Sequence, residues 1–193
     1  MPWEKQFDSE EVLDKAMTAF WAKGYEATSM QDLVTCMGIN RGSLYATFGD
    51  KRSLFIQALR RYDARHRLAW TAALTESKPP REALLAVFDG AIDAVLAAGS
   101  RDGCLLVNTA LELSPHDAEI SKIVAEGLAE MEAFFRGKIE AGQKAGEIPA
   151  AVDPCEAGRA LLGLFIGLRV LSRSRPEAAL LRSLRHQAEV LIS

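Results

Sequence analysis

Cysteine is scarce: Cys36, Cys104 and Cys155 are the only three in 193 residues. They lie far apart, with no CxxC pair and no metal-ligand spacing, and an odd count argues against a disulfide framework. Long apolar runs are missing too. No stretch of roughly eighteen apolar residues occurs, so no membrane-spanning helix is expected. The N-terminal MPWEKQFDSEE has no apolar signal core, and a cytoplasmic protein is expected. No sustained alternation with a period of two appears, which argues against a sheet. Gly-rich phosphate loops, HExxH and paired-cysteine sites are absent as well. His66, His116 and His186 are far apart, and no placed base accompanies Cys104 or Ser114, so neither an enzyme nor a cofactor is expected.

An excess of basic charge is also lacking. The net charge is −3, which taken alone speaks against a nucleic-acid partner. The charge is unevenly spread, however. Residues 51–67 carry Lys51, Arg52, Arg60, Arg61, Arg65 and Arg67 against Asp63 alone, while residues 1–50 hold four basic residues and eight acids. A basic run of this kind is ordinarily a solvated helix face.

What is present is helical periodicity. Hydrophobic residues make up 49% of the chain and recur at spacings of three and four, so an all-α protein of about nine helices is expected. Asp8 or Ser9 can cap a first helix from about Ser9 to Lys23, stopped by Gly24. Ser29 and Asp32 resemble a capping box ahead of a short helix ended by Gly38. Asn40 can cap a third, from Arg41 to about Phe48. Asp50 can cap a long fourth, from Lys51 to about Leu74. Further helices are expected from Arg81 to Ala98, over 104–113, from Ser114-Pro115 to about Ala141, from Pro154 to Leu171, and from Pro176 to Leu191.

Two short helices joined by a tight Gly-containing turn describe a helix-turn-helix, whose second helix enters the DNA major groove. In the second of these, Leu44 and Phe48 can anchor the helix inward. Arg41 and Ser43 then point outward, and Gly42 lets the backbone lie close to DNA. Tyr45, Thr47 and Lys51 can reach phosphates, and Ser29 at a helix N-terminus can present backbone N–H groups to one.

The segments AFWAKGYEATSM (19–30), MGINRGSLY (37–45) and FGDKRSLF (48–55) resemble the DNA-binding domain of the TetR family of bacterial transcriptional repressors. The resemblance implies a homodimer that binds a palindromic double-stranded DNA operator and leaves it when a small-molecule effector enters a larger helical domain. It implies a DNA-binding domain over residues 1–50, a linking helix over 51–75, and a ligand-binding and dimerisation domain over 76–193. Recognition roles fall to Arg41, Gly42, Ser43 and Tyr45, and phosphate contacts to Ser29, Thr47 and Lys51. Thr47 stands where the family often has His. Cys36 stands where Ala is usual, as a small buried residue. The alternative is a helical small-molecule-binding protein that has lost DNA binding.

In the larger domain, LLVNTALEL (105–113) sets Asn108, Thr109 and Glu112 among apolar residues, a pattern suited to a ligand cavity. Trp70, Phe88 and Phe134 are candidate walls, with Leu74, Ile92, Met131, Phe135 and Phe165; taken singly, each reads more readily as ordinary core. Cys104 opens a predicted helix, where the dipole lowers a thiol's pKa. It reads either as a small structural thiol or, since GCLLV (103–107) is similar to a stretch of electrophile-sensing members of the family, as a sensor. The last two helices carry a wide apolar stripe. Leu162, Phe165, Ile166, Leu180 and Leu184 are the candidate dimer interface, and Gly158, Gly163 and Gly167 permit close helix approach.

Overall fold

A computed structural model describes residues 7–97, 99 and 101–193. Four side-chain caps set the order of the first helices. Asp8 accepts from the Glu10 N–H at 2.9 Å and opens α1 (Ser9–Lys23). Ser29 and Asp32 form a reciprocal capping box at the start of α2 (Met30–Met37). Asn40 accepts from the Ser43 N–H at 2.8 Å to open α3 (Arg41–Phe48), and Asp50 accepts from Ser53 at 2.7 Å to open α4 (Lys51–Tyr62). Each cap satisfies an N–H that the helix leaves without a backbone partner. Gly38 ends α2 at φ 70°, a left-handed conformation that costs a residue with a Cβ. The α2–α3 turn is therefore tight.

These helices close over one core. Val12, Ala16 and Phe20 of α1 meet Leu33, Leu44, Phe48, Leu54, Phe55 and Leu59, all buried. Phe20 and Phe55 meet edge to face at 5.0 Å. Each such large apolar side chain contributes roughly 1.5–3 kcal/mol by leaving water.

The linking helix is longer than the periodicity suggests and is interrupted. After α4 it runs through a π-helical segment (Asp63–Leu68) into α5 (Ala69–Ser77). Then follow α6 (Pro80–Leu96), α7 (Leu105–Glu112), α8 (Ala118–Lys144), α9 (Pro154–Ser174) and α10 (Ala178–Val190). Counting α4 to α5 as one interrupted helix, the described residues form nine helices and no strands. The expected end of the fifth helix at Ala98 lies outside the described residues. Ser114-Pro115 does not start α8: residues 113–116 turn, and Asp117 is the cap, accepting from Glu119 and Ile120 at 3.1 Å each. Cys36 is exposed rather than buried: it sits at the rim where α2 meets α1, its thiol 3.4 Å from Leu33 O and 3.9 Å from Lys15 O. No helix among the described residues is long and apolar enough to cross a membrane.

A second core joins α6, α8, α9 and α10, centred on Phe88, Phe135 and Leu161, with Phe165 packed edge to face on Phe88 at 5.6 Å. The short helix α7 lies between the two. Its Leu105 and Leu106, with Leu113, Ile120 and Val124, belong to the first core. Arg52 clamps the same junction, donating to Asp117 at 2.6 and 2.9 Å and to Glu119 at 2.9 Å.

Asp117 is held down to about 2, chiefly by its hydrogen bond with Arg52 and then by its own helix-cap bonds. A carboxyl lowered by folding contributes stability that is full above its unfolded pKa, near 4, and that fades as pH falls through the folded value. Wild-type melting temperature should therefore drop between pH 4 and pH 2 more steeply than that of Asp117→Asn. Parallel curves would remove Asp117 from the acid response.

Candidate functional site

The outer face of α3 is built from below. Leu44 and Phe48 are buried, so the turn containing Arg41, Gly42 and Tyr45 is left exposed, with Ser43 half-buried. Tyr45 is 46% exposed, unusual for a large aromatic side chain. Thr47 is half-buried at the C-terminal end of the helix. The Lys51 ammonium sits 4.3 Å from the centre of the Tyr25 ring, which holds it beside the end of α3. An exposed cation, a glycine and a phenol on one helix of this length can enter a major groove.

Two expectations for this face change. Ser29 does not offer its own N–H to a phosphate, because that N–H donates to Asp32 at 2.9 Å as part of the capping box. The basic run is not a free cationic face either. Arg52 is paired with Asp117 and Glu119, Arg61 with Glu10 and Asp14, Arg65 with Asp14, and Arg67 with Asp63 and Glu130. These arginines fasten the linking helix to α1 and α8 instead.

Behind that helix lies a cavity of about 350 Å³. The π-helical segment forms one wall. Tyr62 and His66 stack with ring centres 4.8 Å apart, and Trp21 of α1 meets both edge-on at 4.8 and 4.9 Å. Trp70 follows one turn on. It fits because position 90 is glycine: a Cβ there would stand 2.8 Å from the indole. Cys104, Leu106 and Val107 come from the α7 region, Met131 from α8, and Leu162, Phe165, Ile166 and Arg169 from one face of α9. π-helical insertions occur often at functional sites, and this one lies where the cavity meets the helix leading to α3.

The electrostatics are one-sided. Arg65, Arg67, His66 and Arg169 line the cavity, and no Asp or Glu does among the described residues. Burial pushes His66 below its usual value, and the Arg65 and Arg169 charges add to this, against a smaller opposing effect of Asp14. Burial, and then Cys104 beside it, raises the Tyr62 hydroxyl far above the usual phenol range. Arg169 donates to the Gly103 carbonyl, which also accepts from the Trp21 indole at 3.3 Å.

Of the expected wall residues, Trp70 and Cys104 line this cavity, as do Met131 and Phe165. The others lie elsewhere. Phe88 is wholly buried in the second core, and Phe134 packs half-buried against that core, edge to face with Phe135 and with the Lys138 ammonium over its ring. The Thr109 hydroxyl donates to Leu105 O within its own helix. Asn108 donates to Asp102 O at 2.9 Å and holds the loop before α7. Glu112 turns away from the cavity altogether: it accepts from the backbone N–H groups of Tyr25 at 3.1 Å and Glu26 at 2.8 Å. Gly24, at φ 88°, is needed there, since a Cβ would stand 3.0 Å from the Glu112 carboxylate. Spacing within 105–113 could not separate these fates, because α7 is packed against α4, α8 and α9 at once.

Leu162, Phe165 and Ile166 were expected between subunits; they face the cavity, since positions 162, 165, 166 and 169 share one side of α9. The outward side carries Gly163, Gly167 and Val170; a Cβ at either glycine would meet open space. Leu180 and Leu184 are half-buried on α10. Gly158 serves the subunit's own packing: a Cβ there would stand 3.3 Å from the Arg136 backbone. The signals overlooked were Tyr62 and His66, an aromatic pair four apart, and Arg169, a lone charge inside the apolar GLFIGLRVL.

Fold and site together define a helix-turn-helix protein with a cavity-bearing helical domain. Residues 12–58 match the family described as "Bacterial regulatory proteins, tetR family", and residues 80–187 match "Tetracyclin repressor-like, C-terminal domain". The HTH-type transcriptional repressor ComR of Escherichia coli (strain K12) is 33% identical over 170 residues, covering 88% of this chain and 81% of ComR. The HTH-type transcriptional regulator YezE of Bacillus subtilis (strain 168) is 35% identical over 138 residues, 71% of each chain. A cysteine mutant of the TetR family regulator CifR, solved in complex with 26-bp double-strand operator DNA, superposes with a TM-score of 0.84 at 27% identity over 96% of both chains. The chain belongs to the TetR family of transcriptional regulators.

Proposed function

We propose that this chain is a repressor that binds a palindromic DNA operator as a homodimer and is released by a small molecule entering the cavity behind the linking helix. Residues 1–50 form its DNA-binding domain, with 51–75 the linking helix and 76–193 the effector and dimer domain. The observation that carries the reading is the surface of α3, where Arg41, Gly42 and Tyr45 stand exposed on a helix held by Leu44 and Phe48. Arg41 suits a guanine edge; Ser43, Tyr45 and Thr47 suit flanking bases and phosphates. Lys51, steadied by Tyr25, is the phosphate cation nearest to α3. That CifR is captured on operator DNA at 27% identity supports the same use of this fold.

Release follows from how the cavity is walled. Trp21 belongs to α1, the π-helical segment leads from α4, and α7 runs from Cys104 at the cavity to Glu112 under the α1–α2 turn. A ligand that moves any of these walls moves the helices carrying α3. Cys104 lies in that wall beside Tyr62, so an electrophilic effector would find a thiol within the same cavity. The outward face of α9 with Gly163, Gly167 and Val170, next to Leu180 and Leu184 of α10, supports pairing of two subunits.

The experiment is selection of bound duplexes from random DNA. A recurring sequence with two-fold symmetry supports the reading; retention of all sequences alike, or of none, refutes it. On the selected duplex, Lys51→Ala should weaken binding and reduce the slope of log affinity against log salt by about 1. An unchanged slope would take Lys51 off the phosphates.

A further inference from the structure

We propose that the effector is an organic anion with a flat apolar body, an aromatic carboxylate being the simplest case, with its charged group held by Arg169. The inference rests on the cavity being the effector site, as argued above, and names what that site selects.

Three features converge on this chemistry. The walls supply flat apolar surface from four rings, Trp21, Tyr62, Trp70 and Phe165. The volume of about 350 Å³ is at the small end of ligand sites and suits a ring system of one or two rings. The charge lining it is cationic and partly uncompensated. Arg67 is matched by Asp63 and Glu130, and Arg65 by Asp14. Arg169 has no carboxylate partner among the described residues; it donates to a neutral carbonyl, that of Gly103. A guanidinium in a half-buried apolar site gains most from an anion that accepts two parallel hydrogen bonds. His66 beside it becomes a second donor once an anion is present. A second depression, between α5, α6 and α10, is lined by Glu82, Asp89, Asp93, Glu147 and Glu189 together with Lys78, Arg81 and Arg185, and each of these cations is already paired with one of the acids, so it offers an anion no uncommitted charge.

The same geometry links binding to the DNA-binding helices. Gly103 O accepts from Arg169 of α9 and from Trp21 of α1. A carboxylate that draws Arg169 away leaves that carbonyl to Trp21 alone and loosens the fastening between α1, α9 and the loop before α7.

The test is calorimetric titration of the DNA-free protein with three probes of one shape: 2-naphthoate, 2-naphthamide and 2-naphthylmethylamine. The expected result is one naphthoate per chain, bound at least tenfold more tightly than the amide, with the amine weakest. Arg169→Gln should lose at least tenfold in naphthoate affinity and bind naphthoate and amide alike, while Arg169→Lys keeps part of the preference. Equal or tighter binding of the amide or the amine, binding of none of the three, or an undiminished preference in Arg169→Gln would overturn the proposal. Should Arg169→Gln fail to fold, the three-probe comparison on the wild-type chain decides alone. Because no DNA is present, failure here leaves the operator selection standing, and failure of that selection leaves this result readable.

Discussion

Replacing Arg41 or Tyr45 by Ala should lower affinity for the selected operator by about ten- to a hundredfold, with the melting temperature unchanged. The magnitude follows from losing one base-edge contact, roughly 1–3 kcal/mol. The absence of a stability effect follows from position. Both side chains are exposed, and the helix beneath them is held by Leu44 at 0% and Phe48 at 5% exposure. The two substitutions should differ in kind. Arg41→Ala should relax preference at one base pair, whereas a phosphate contact by Tyr45 would weaken all sequences together. Unchanged affinity in either variant, measured by fluorescence anisotropy, would remove that residue from the reading face.

Glu112→Ala should have the next largest effect, though Glu112 touches neither DNA nor the cavity. Its carboxylate accepts from two consecutive backbone N–H groups, Tyr25 and Glu26, in the turn that joins α1 to α2. Removing it leaves both donors without that acceptor, at about 1–3 kcal/mol for the more buried Tyr25 N–H and less for the exposed Glu26. The turn should then open locally. Hydrogen exchange at the Tyr25 and Glu26 amides should speed up by at least tenfold, while amides in the α6–α8–α9 core keep their rates. Operator affinity should fall as well, since the placement of α2 relative to α1 depends on this turn. Exchange rates at Tyr25 and Glu26 equal to wild type would show that α7 does not hold the α1–α2 turn.

The local parts of this structure were legible in the sequence. Asp8, Ser29, Asn40 and Asp50 each cap the helix they were expected to cap, because a cap depends on residues within three positions. Gly24 and Gly38 end α1 and α2 for the same local reason. Side-chain partners across the chain were not legible. The basic run at 51–67 reads as a solvated helix face, and nothing local shows that Asp14, Asp117 and Glu130 come to it from distant segments. Glu112 has the right residue type and spacing for a cavity wall, and only the packing of α7 between two cores turns it to Tyr25. The π-helical segment DARHRL has no composition that marks it. Its effect is large, since it brings His66 onto Tyr62 and Trp21. The cavity draws its walls from α1 and the linking helix as well as from the larger domain, and the polar side chains lining it include Arg169 and His66 rather than Asn108 and Thr109.

The central claim is that α3 reads DNA as one of a two-fold pair. Hydroxyl-radical footprinting of the wild-type chain on its selected duplex tests it most directly. Two protected half-sites related by a dyad, with centres about one helical turn or a small multiple of it apart, are predicted. A single protected patch without symmetry, or uniform protection along the duplex, would contradict it.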